Sequence, residues 1–555
     1  MADVYAKPGW DGCHGALAGD LRRQPVRLLY LVLCARADLA MAGLGFVFTS
    51  IDEGRLKNMF PYLLAPVLVG YAIVMATLVF YVTNLFYLIL LGAKNRKKLQ
   101  PTPSTVVSDL PFVTVQLPIY NEWYVADRLL TACAELDYPQ GQFEIQVLDD
   151  STDETASLIA QKVKDLRSQG VEIHHLHRTN RDGFKAGALA MGLESARGEY
   201  IAIFDADFLP QKDFLLRMMP RFEIDAAFVQ ARWGHLNRDY SLLTLLQSFS
   251  LDAHFAIDQL ARSSGDYVFN FNGTAGIWRK SAILDAGGWH ADTLTEDMDL
   301  SYRVFLRGWR AVYAGDVEAP AELPVSFTAY RRQQYRWARG SLECAIKYLP
   351  VIWQGDNSFI RKLQATFHLT GYLLHMLTVL LMFFYPLLLL FAQDYPTLLA
   401  PIGIGLLMNF LALAPAVYFI AAQHFLKRRW LGSIPLVFML SVFASGMVLN
   451  TMRALVQILQ RRVIPFERTP KFGITSRSQP WRGNRYQVRF DGLVLLEILL
   501  GIFNLWTAWL AWSSGNYGMM IYASLFALSL FFASGFTLYQ AFSSRFSPAD
   551  EPIST

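Results

Sequence analysis

YIAIFDAD (200–207) decides how this chain is read. An apolar, β-branched run, Tyr200 to Phe204, ends on Asp205-Ala206-Asp207. Such a run suits a buried strand, and the acidic pair then falls on the turn beyond its carboxyl end. Outward from it, VTVQLPIY (113–120), FEIQVLDD (143–150), VEIHHLH (171–177) and AAFVQARW (226–233) repeat the pattern. Leu158 to Gln169, Lys185 to Ser195 and Phe214 to Phe222 read as helices between these runs. Strands alternating with helices predict a mostly parallel sheet, an α/β domain of Rossmann type. Ligands bind such sheets beyond the carboxyl ends of the strands. Asp149 and Asp150, like Asp205 and Asp207, end predicted strands, which is where a nucleotide site is expected.

Long apolar segments flank this stretch. The 555 residues are 53% hydrophobic and only 17% charged, with a mean hydropathy of +0.25. Soluble chains carry about 25% charge, so the deficit implies lipid-buried segments. The net charge of +4 is too small to argue for nucleic acid. Cys13, Cys34, Cys133 and Cys344 are scattered and form no CxxC; they read as reduced thiols, and neither a zinc site nor a disulfide framework is expected from them. The first 25 residues lack an apolar core, so no cleavable signal peptide is expected. Pro61 to Leu91 contains an uncharged run longer than the roughly 20 residues that span a bilayer, and it ends at Lys94, Arg96, Lys97 and Lys98. That basic end is expected in the cytoplasm. Leu28 to Phe48 is a second span or an interfacial helix, since it holds Arg36 and Asp38. Thr366 to Phe391 and Leu398 to Gln423 read as spans, followed by a final hairpin of Leu493 to Trp512 and Met519 to Phe542. Ile434 to Leu459 precedes a basic segment carrying Arg461, Arg462, Arg468 and Lys471, so an interfacial helix is expected there.

Four motifs stand in order: Asp150, the DxD of Asp205 to Asp207, TED (295–297) and QQYRW (333–337). Carboxylates bind the ribose and base of a nucleotide sugar, or hold a divalent cation that holds its phosphates. Asp150 suits the first task. Asp205 and Asp207, as hard oxygen ligands, suit Mg2+ or Mn2+. Inverting transfer of the sugar needs a base to take the proton of the attacking hydroxyl. Asp297 fits that role, with Glu296 and Asp299 as competitors; the same acids also fit the N-terminal turn of a helix. Arg336 suits diphosphate and Trp337 suits a sugar face, although both also fit an amphipathic interface helix.

In this order the motifs resemble the processive, inverting family-two glycosyltransferases of the cellulose synthase superfamily, from about Pro111 onward. NRDGFKAGALAMGL (180–193), VQARW (229–233), FNGTAGIWR (271–279) and TEDMDLSYR (295–303) are similar to the plant cellulose-synthase-like mannan and glucan synthases. The resemblance implies a GT-A-like cytoplasmic domain inserted between transmembrane helices of a multi-pass protein. It implies that Asp150 contacts the nucleoside, that Asp205 and Asp207 meet the diphosphate and its metal, and that Asp297, beside Glu296, is the base. Gln333, Arg336 and Trp337 would hold diphosphate and acceptor, with Glu122 and Lys185 as further donor-site positions. Phe271, Asn272, Gly273 and Thr274 would lie near the acceptor end. A gating loop reads FERTPK (466–471), in which Phe466, Thr469 and Lys471 match the family pattern and Arg468 replaces its valine. No cyclic-dinucleotide-binding barrel is expected after the last predicted span.

The expected organisation is a membrane region over 1–98, the catalytic domain over 99–350, a channel region over 351–545 with the gating loop at 461–491, and a tail over 546–555. The expected activity is polymerisation of a linear β-glycan with translocation across a plasma, inner or Golgi membrane. UDP-glucose is slightly favoured as donor over GDP-mannose. A single-addition lipid glycosyltransferase and a non-catalytic transport or scaffold subunit are the alternatives. Partners are then the nucleotide sugar, the growing polysaccharide and the bilayer, with a homo-oligomer or accessory subunits left open. Trp506, Trp509 and Trp512 are stacking surfaces or lipid-facing residues, and His368 and His375 are packing or channel-polar residues.

Overall fold

A computed structural model describes residues 53–100, 110–394, 405–464, 466–479 and 491–545. Leu28 to Phe48, Cys13 and Cys34 lie outside the described residues. Among the described residues two compact units form: those up to Ile73 with those of Leu381–Gly405 and Phe503–Ser524, and a larger one of those in Val74–Leu380, Leu406–Ile502 and from Leu525.

The larger unit is built on a seven-stranded sheet in the order β3-β2-β1-β4-β6-β5-β7. The strands are β1 (Val113–Ile119), β2 (Phe143–Asp149), β3 (Ile173–His177), β4 (Tyr200–Ile203), β5 (Ala226–His235), β6 (Gly276–Arg279) and β7 (Arg310–Ala321). Parallel pairing joins β3, β2, β1 and β4, and also β5 and β7; β6 runs antiparallel between β4 and β5. The expected mostly parallel sheet is therefore mixed at its centre. Neither β6 nor β7 follows from the apolar pattern. GIWR is too short to register, and Gly315, Asp316 and Pro320 interrupt β7.

Helix α1 (Glu53–Asn95) precedes the sheet; α2 (Thr155–Ser168) connects β2 to β3 and α3 (Phe184–Ser195) connects β3 to β4. Val113, Val115, Leu117, Ile145, Val147 and Ile159 are sealed in one apolar cluster, and Leu189, Ile201, Ile203, Phe228 and Trp278 in another. Fully burying each large apolar side chain contributes about 1.5–3 kcal/mol. Helix α4 (Glu296–Leu306) carries Glu296, Asp297 and Asp299 in its first turn and Arg303 in its last, charges that complement the helix dipole. Helix α5 (Phe327–Gln354) starts at Ser326, whose hydroxyl accepts the Ala329 N–H at 3.3 Å.

The C-terminal half is helical: α6 (Phe359–Thr370), α7 (Leu373–Asp394), α8 (Gly405–Phe425), α9 (Ile434–Ser445), α10 (Val448–Leu459), α11 (Leu493–Ser513) and α12 (Tyr517–Arg545). Among the described residues, five stretches are long and apolar enough to cross a membrane: Leu64–Leu99, Leu373–Ala392, Leu431–Leu459, Leu493–Ser513 and Tyr517–Phe542. The span expected from Thr366 begins instead at Leu373, because a break at Gly371 and Tyr372 separates α6 from α7. Leu431–Leu459, read from sequence as interfacial, has the length to cross. It is divided into α9 and α10, each of 12 residues. In the smaller unit, Leu389, Leu510 and Ala511 pack with Trp506, while Trp512 is exposed.

Candidate active site

A cavity of about 200 Å³ opens beyond the carboxyl ends of β1, β2 and β4. Its walls include Glu122, Asp150, Lys185, Asp205, Asp207, Asn272, Gly273, Glu296, Asp297, Gln333, Arg336, Trp337, Phe466, Thr469 and Lys471. Segments nearly 350 positions apart in the chain are thus brought together. A second cavity, of about 350 Å³, shares Trp233, Asn272, Thr295, Asp297, Gln333 and Trp337 with the first and continues past His254, Tyr330, Tyr372 and Tyr418. Asp297 and Trp337 stand where the two meet.

The backbone is bent into rare conformations to build these walls. Asn121 (φ 53°), Phe184 (φ 50°) and Ala275 (φ 55°) are left-handed without being glycine, a cost held in place by the surrounding fold. Asn121 and Phe184 immediately precede Glu122 and Lys185. Gly273 (φ +80°) has a reason beyond its backbone. A Cβ there would stand 3.2 Å from Asp297 Oδ2 and 3.4 Å from Lys185 Nζ, so any side chain would enter the site.

Asp150 is held by two parallel bonds from Arg178, Nε to Oδ1 at 2.6 Å and Nη2 to Oδ2 at 2.5 Å. Lys185 Nζ lies 2.6 Å from Asp205 Oδ1 and 3.5 Å from Glu296 Oε1, and donates to the Gly273 carbonyl at 2.9 Å. Burial alone would lower the Lys185 pKa, but Asp205 and Glu296 outweigh it and hold the ammonium charged. Burial raises Asp205, against the opposing pull of Lys185. Asp297 is pushed up to about 7, first by burial and then by Glu296, with Lys185 opposing. Burial likewise pushes Glu122 up to about 8, although Arg468 and Lys471 oppose it.

The FERTPK segment lies across the cavity. Lys471 Nζ donates to Asp207 Oδ2 at 2.5 Å and also to the Glu322 carbonyl. Arg336 donates to Thr469 Oγ1 at 2.9 Å, and its guanidinium sits 4.6 Å over the Phe466 ring. Arg468, the residue that departs from the family pattern, stands 3.1 Å from Glu122 Oε2, an ion pair not aligned as a hydrogen bond.

Two residues expected at the acceptor end are elsewhere. Phe271 is fully buried against Phe228 and Trp278. Thr274 is also fully buried, and its hydroxyl accepts the Asp205 N–H at 2.8 Å. Both shape the wall from behind; Asn272 and Gly273 face the cavity. Asp299 is removed from the competition for base, because Lys347, Tyr348 and Arg303 all bind its carboxylate. His368 accepts from or donates to the Tyr302 hydroxyl at 2.8 Å, and His375 is paired with Thr451 at 2.7 Å. Arg178 and Arg181 received no role from sequence, although Arg178 precedes the NRDGFK phrase and Arg181 lies within it. Arg181 stacks 3.3 Å over the Tyr120 ring at the cavity wall.

Residues 111–340 match the glycosyltransferase-like family 2 model, and residues 279–538 match the cellulose synthase model. Probable glucomannan 4-beta-mannosyltransferase 7 of Oryza sativa subsp. japonica is 44% identical over 261 residues, 46% of this chain and 45% of its own. Glucomannan 4-beta-mannosyltransferase 2 of Arabidopsis thaliana is 46% identical over 239 residues, 42% of this chain and 45% of its own. The chain spans about half the length of the curated relatives it matches. A solved mannosyltransferase, PcManGT from Pyrobaculum calidifontis in complex with GDP-Man and Mn2+, aligns at a TM-score of 0.46 and 22% identity, covering 70% of this chain and 100% of that one. The two family models overlap across TED and QQYRW and together match residues 111–538 of this chain.

Proposed function

We propose that this protein is a processive, inverting β-mannosyltransferase that draws GDP-mannose from the cytoplasm and extends a linear β-mannan or glucomannan at a membrane. The observation that carries this is the position of Asp297 and Trp337 at the junction of two cavities. One cavity suits a nucleotide sugar and the other an acceptor chain. The expected division into a catalytic domain over 99–350 and a channel region over 351–545 belongs to the same proposal.

In the proposed reaction the acceptor hydroxyl attacks the anomeric carbon. Its proton passes to the Asp297 carboxylate, and the carbon–oxygen bond to the diphosphate breaks with the electron pair leaving on GDP. Asp150 holds the nucleoside. Arg336 and Lys471 bind the diphosphate, while Trp337 stacks on the acceptor sugar. Asp205 and Asp207 form an all-oxygen donor set that suits Mg2+ or Mn2+, and each carboxylate faces an ammonium, Lys185 or Lys471. When bound, such an ion stabilises charge on the leaving diphosphate. The loop over the site excludes water from an activated donor.

The mannose assignment reverses the slight preference for UDP-glucose drawn from sequence. Its support is the 43–46% identity to glucomannan mannosyltransferases. The test is a radiolabelled donor panel with purified protein. GDP-mannose should enter a high-mass product that endo-β-1,4-mannanase degrades. Incorporation from UDP-glucose alone, or a glycolipid product alone, would overturn the proposal.

A further inference from the structure

Three groups of His, Asp and Glu side chains are close enough to share a metal ion among the described residues: Asp149 with His175 and His177, Glu144 with Glu172 and His174, and His290 with Asp292 and Asp299. Two are already neutralised. Arg197 binds both Glu144 and Glu172, and Lys347 binds both Asp292 and Asp299. The first group has no Lys or Arg on its carboxylate.

Its geometry follows from the strand period. His175 and His177 lie two apart on β3 and so share a face, and His177 sits opposite Asp149 on β2. His175 Nε2 is 2.9 Å and His177 Nδ1 3.1 Å from the same oxygen, Asp149 Oδ2. The other carboxylate oxygen accepts the Ser151 N–H at 2.8 Å, which fixes the orientation of Asp149. The Asp149 side chain is fully buried, whereas His177 is 40% exposed and leaves a way in from solvent. Ligands bound tetrahedrally to zinc at about 2.0–2.1 Å are separated by about 3.3 Å. Opening the two hydrogen-bonded pairs by a few tenths of an ångström reaches that spacing.

We infer that Asp149, His175 and His177 form a binding site for a divalent transition ion of zinc type, separate from the DxD carboxylates. Two imidazoles and a carboxylate are a common three-ligand set for zinc, with water completing the tetrahedron. The site adjoins Asp150, so a bound ion would pin the end of β2 beside the nucleoside position.

The test uses the full chain purified in detergent and stripped of metal, carrying Asp205→Asn and Asp207→Asn to remove the other carboxylate site. Equilibrium dialysis against Zn2+ alone, with elemental analysis, should find one ion per chain. His177→Ala, at a half-exposed position, should weaken binding at least about tenfold. X-ray absorption of the zinc-loaded protein should report two imidazole ligands and needs no variant at the site. Substoichiometric binding, unchanged affinity in His177→Ala, or a zinc shell without imidazole would each overturn the inference.

Discussion

In the proposed reaction Asp297 must be a carboxylate to accept a proton, yet its surroundings favour the acid. Its pKa of about 7 has a sign consequence for rate. Only the ionised form is a base, so kcat/KM should rise with pH through about 7, the range set by the free enzyme. Asp297→Asn should lower kcat by about 10²–10⁴-fold while GDP-mannose binding persists. Stability runs the other way. The folded-state value is raised above the ordinary 3.8, so the folded state binds more protons and loses stability as pH rises between the two. Asp297→Asn escapes that loss and should unfold at a higher temperature than the parent at pH 8. An unfolding temperature lower than the parent's would contradict the cause assigned to the shift. Asp150, Asp205, Asp207 and Asp297 were legible because each follows an apolar run or opens a helix. Arg178 and Arg181 were not, because a cation in a loop phrase carries no periodic signal. Phe271 and Thr274 were misplaced for a related reason: FNGTA turns only Asn272 and Gly273 to the cavity and buries the residues on either side.

Helix α5 delivers Gln333, Arg336 and Trp337 only because it packs tightly on the start of α4. Gly340 marks the contact, since a Cβ there would stand 2.4 Å from Thr295 Cγ2 and Oγ1. Gly340→Ala should force the helices apart, cost about 1–3 kcal/mol, and lower turnover more than donor binding. The base of α5 is anchored by a buried ion pair, Arg331 Nη2 to Glu497 Oε1 at 2.7 Å, with both side chains almost wholly buried. Thr537 on α12 accepts from the same guanidinium at 3.1 Å. Removing one partner leaves a buried charge, so Glu497→Ala should destabilise by about 3–5 kcal/mol. The apolar pair Arg331→Met with Glu497→Leu should recover most of that in thermal unfolding. Equal losses in the single and double variants would sink the ion-pair account. At this scale the first five strands and the crossover helices α2 and α3 were legible from apolar periodicity. β6 and β7 were not, because their stability comes from neighbouring strands rather than from their own residues.

Across the molecule, the proposed activity depends on distant segments closing on one reaction centre. The sheet supplies carboxylates, α4 Asp297, α5 the Arg-Trp pair, and the FERTPK loop the covering cations. Motif order made the site's membership legible, but not its partition into two cavities, which arises from packing around Asp297 and Trp337. The most direct measurement is a cryo-EM structure of Asp297→Asn purified with GDP-mannose and a manno-oligosaccharide. The nucleotide should lie along Asp150, Asp205 and Asp207. The terminal sugar should stack on Trp337, with a hydroxyl within about 2.6–3.2 Å of residue 297. A nucleotide bound outside this cavity, or an acceptor that approaches without meeting residue 297, would contradict the account.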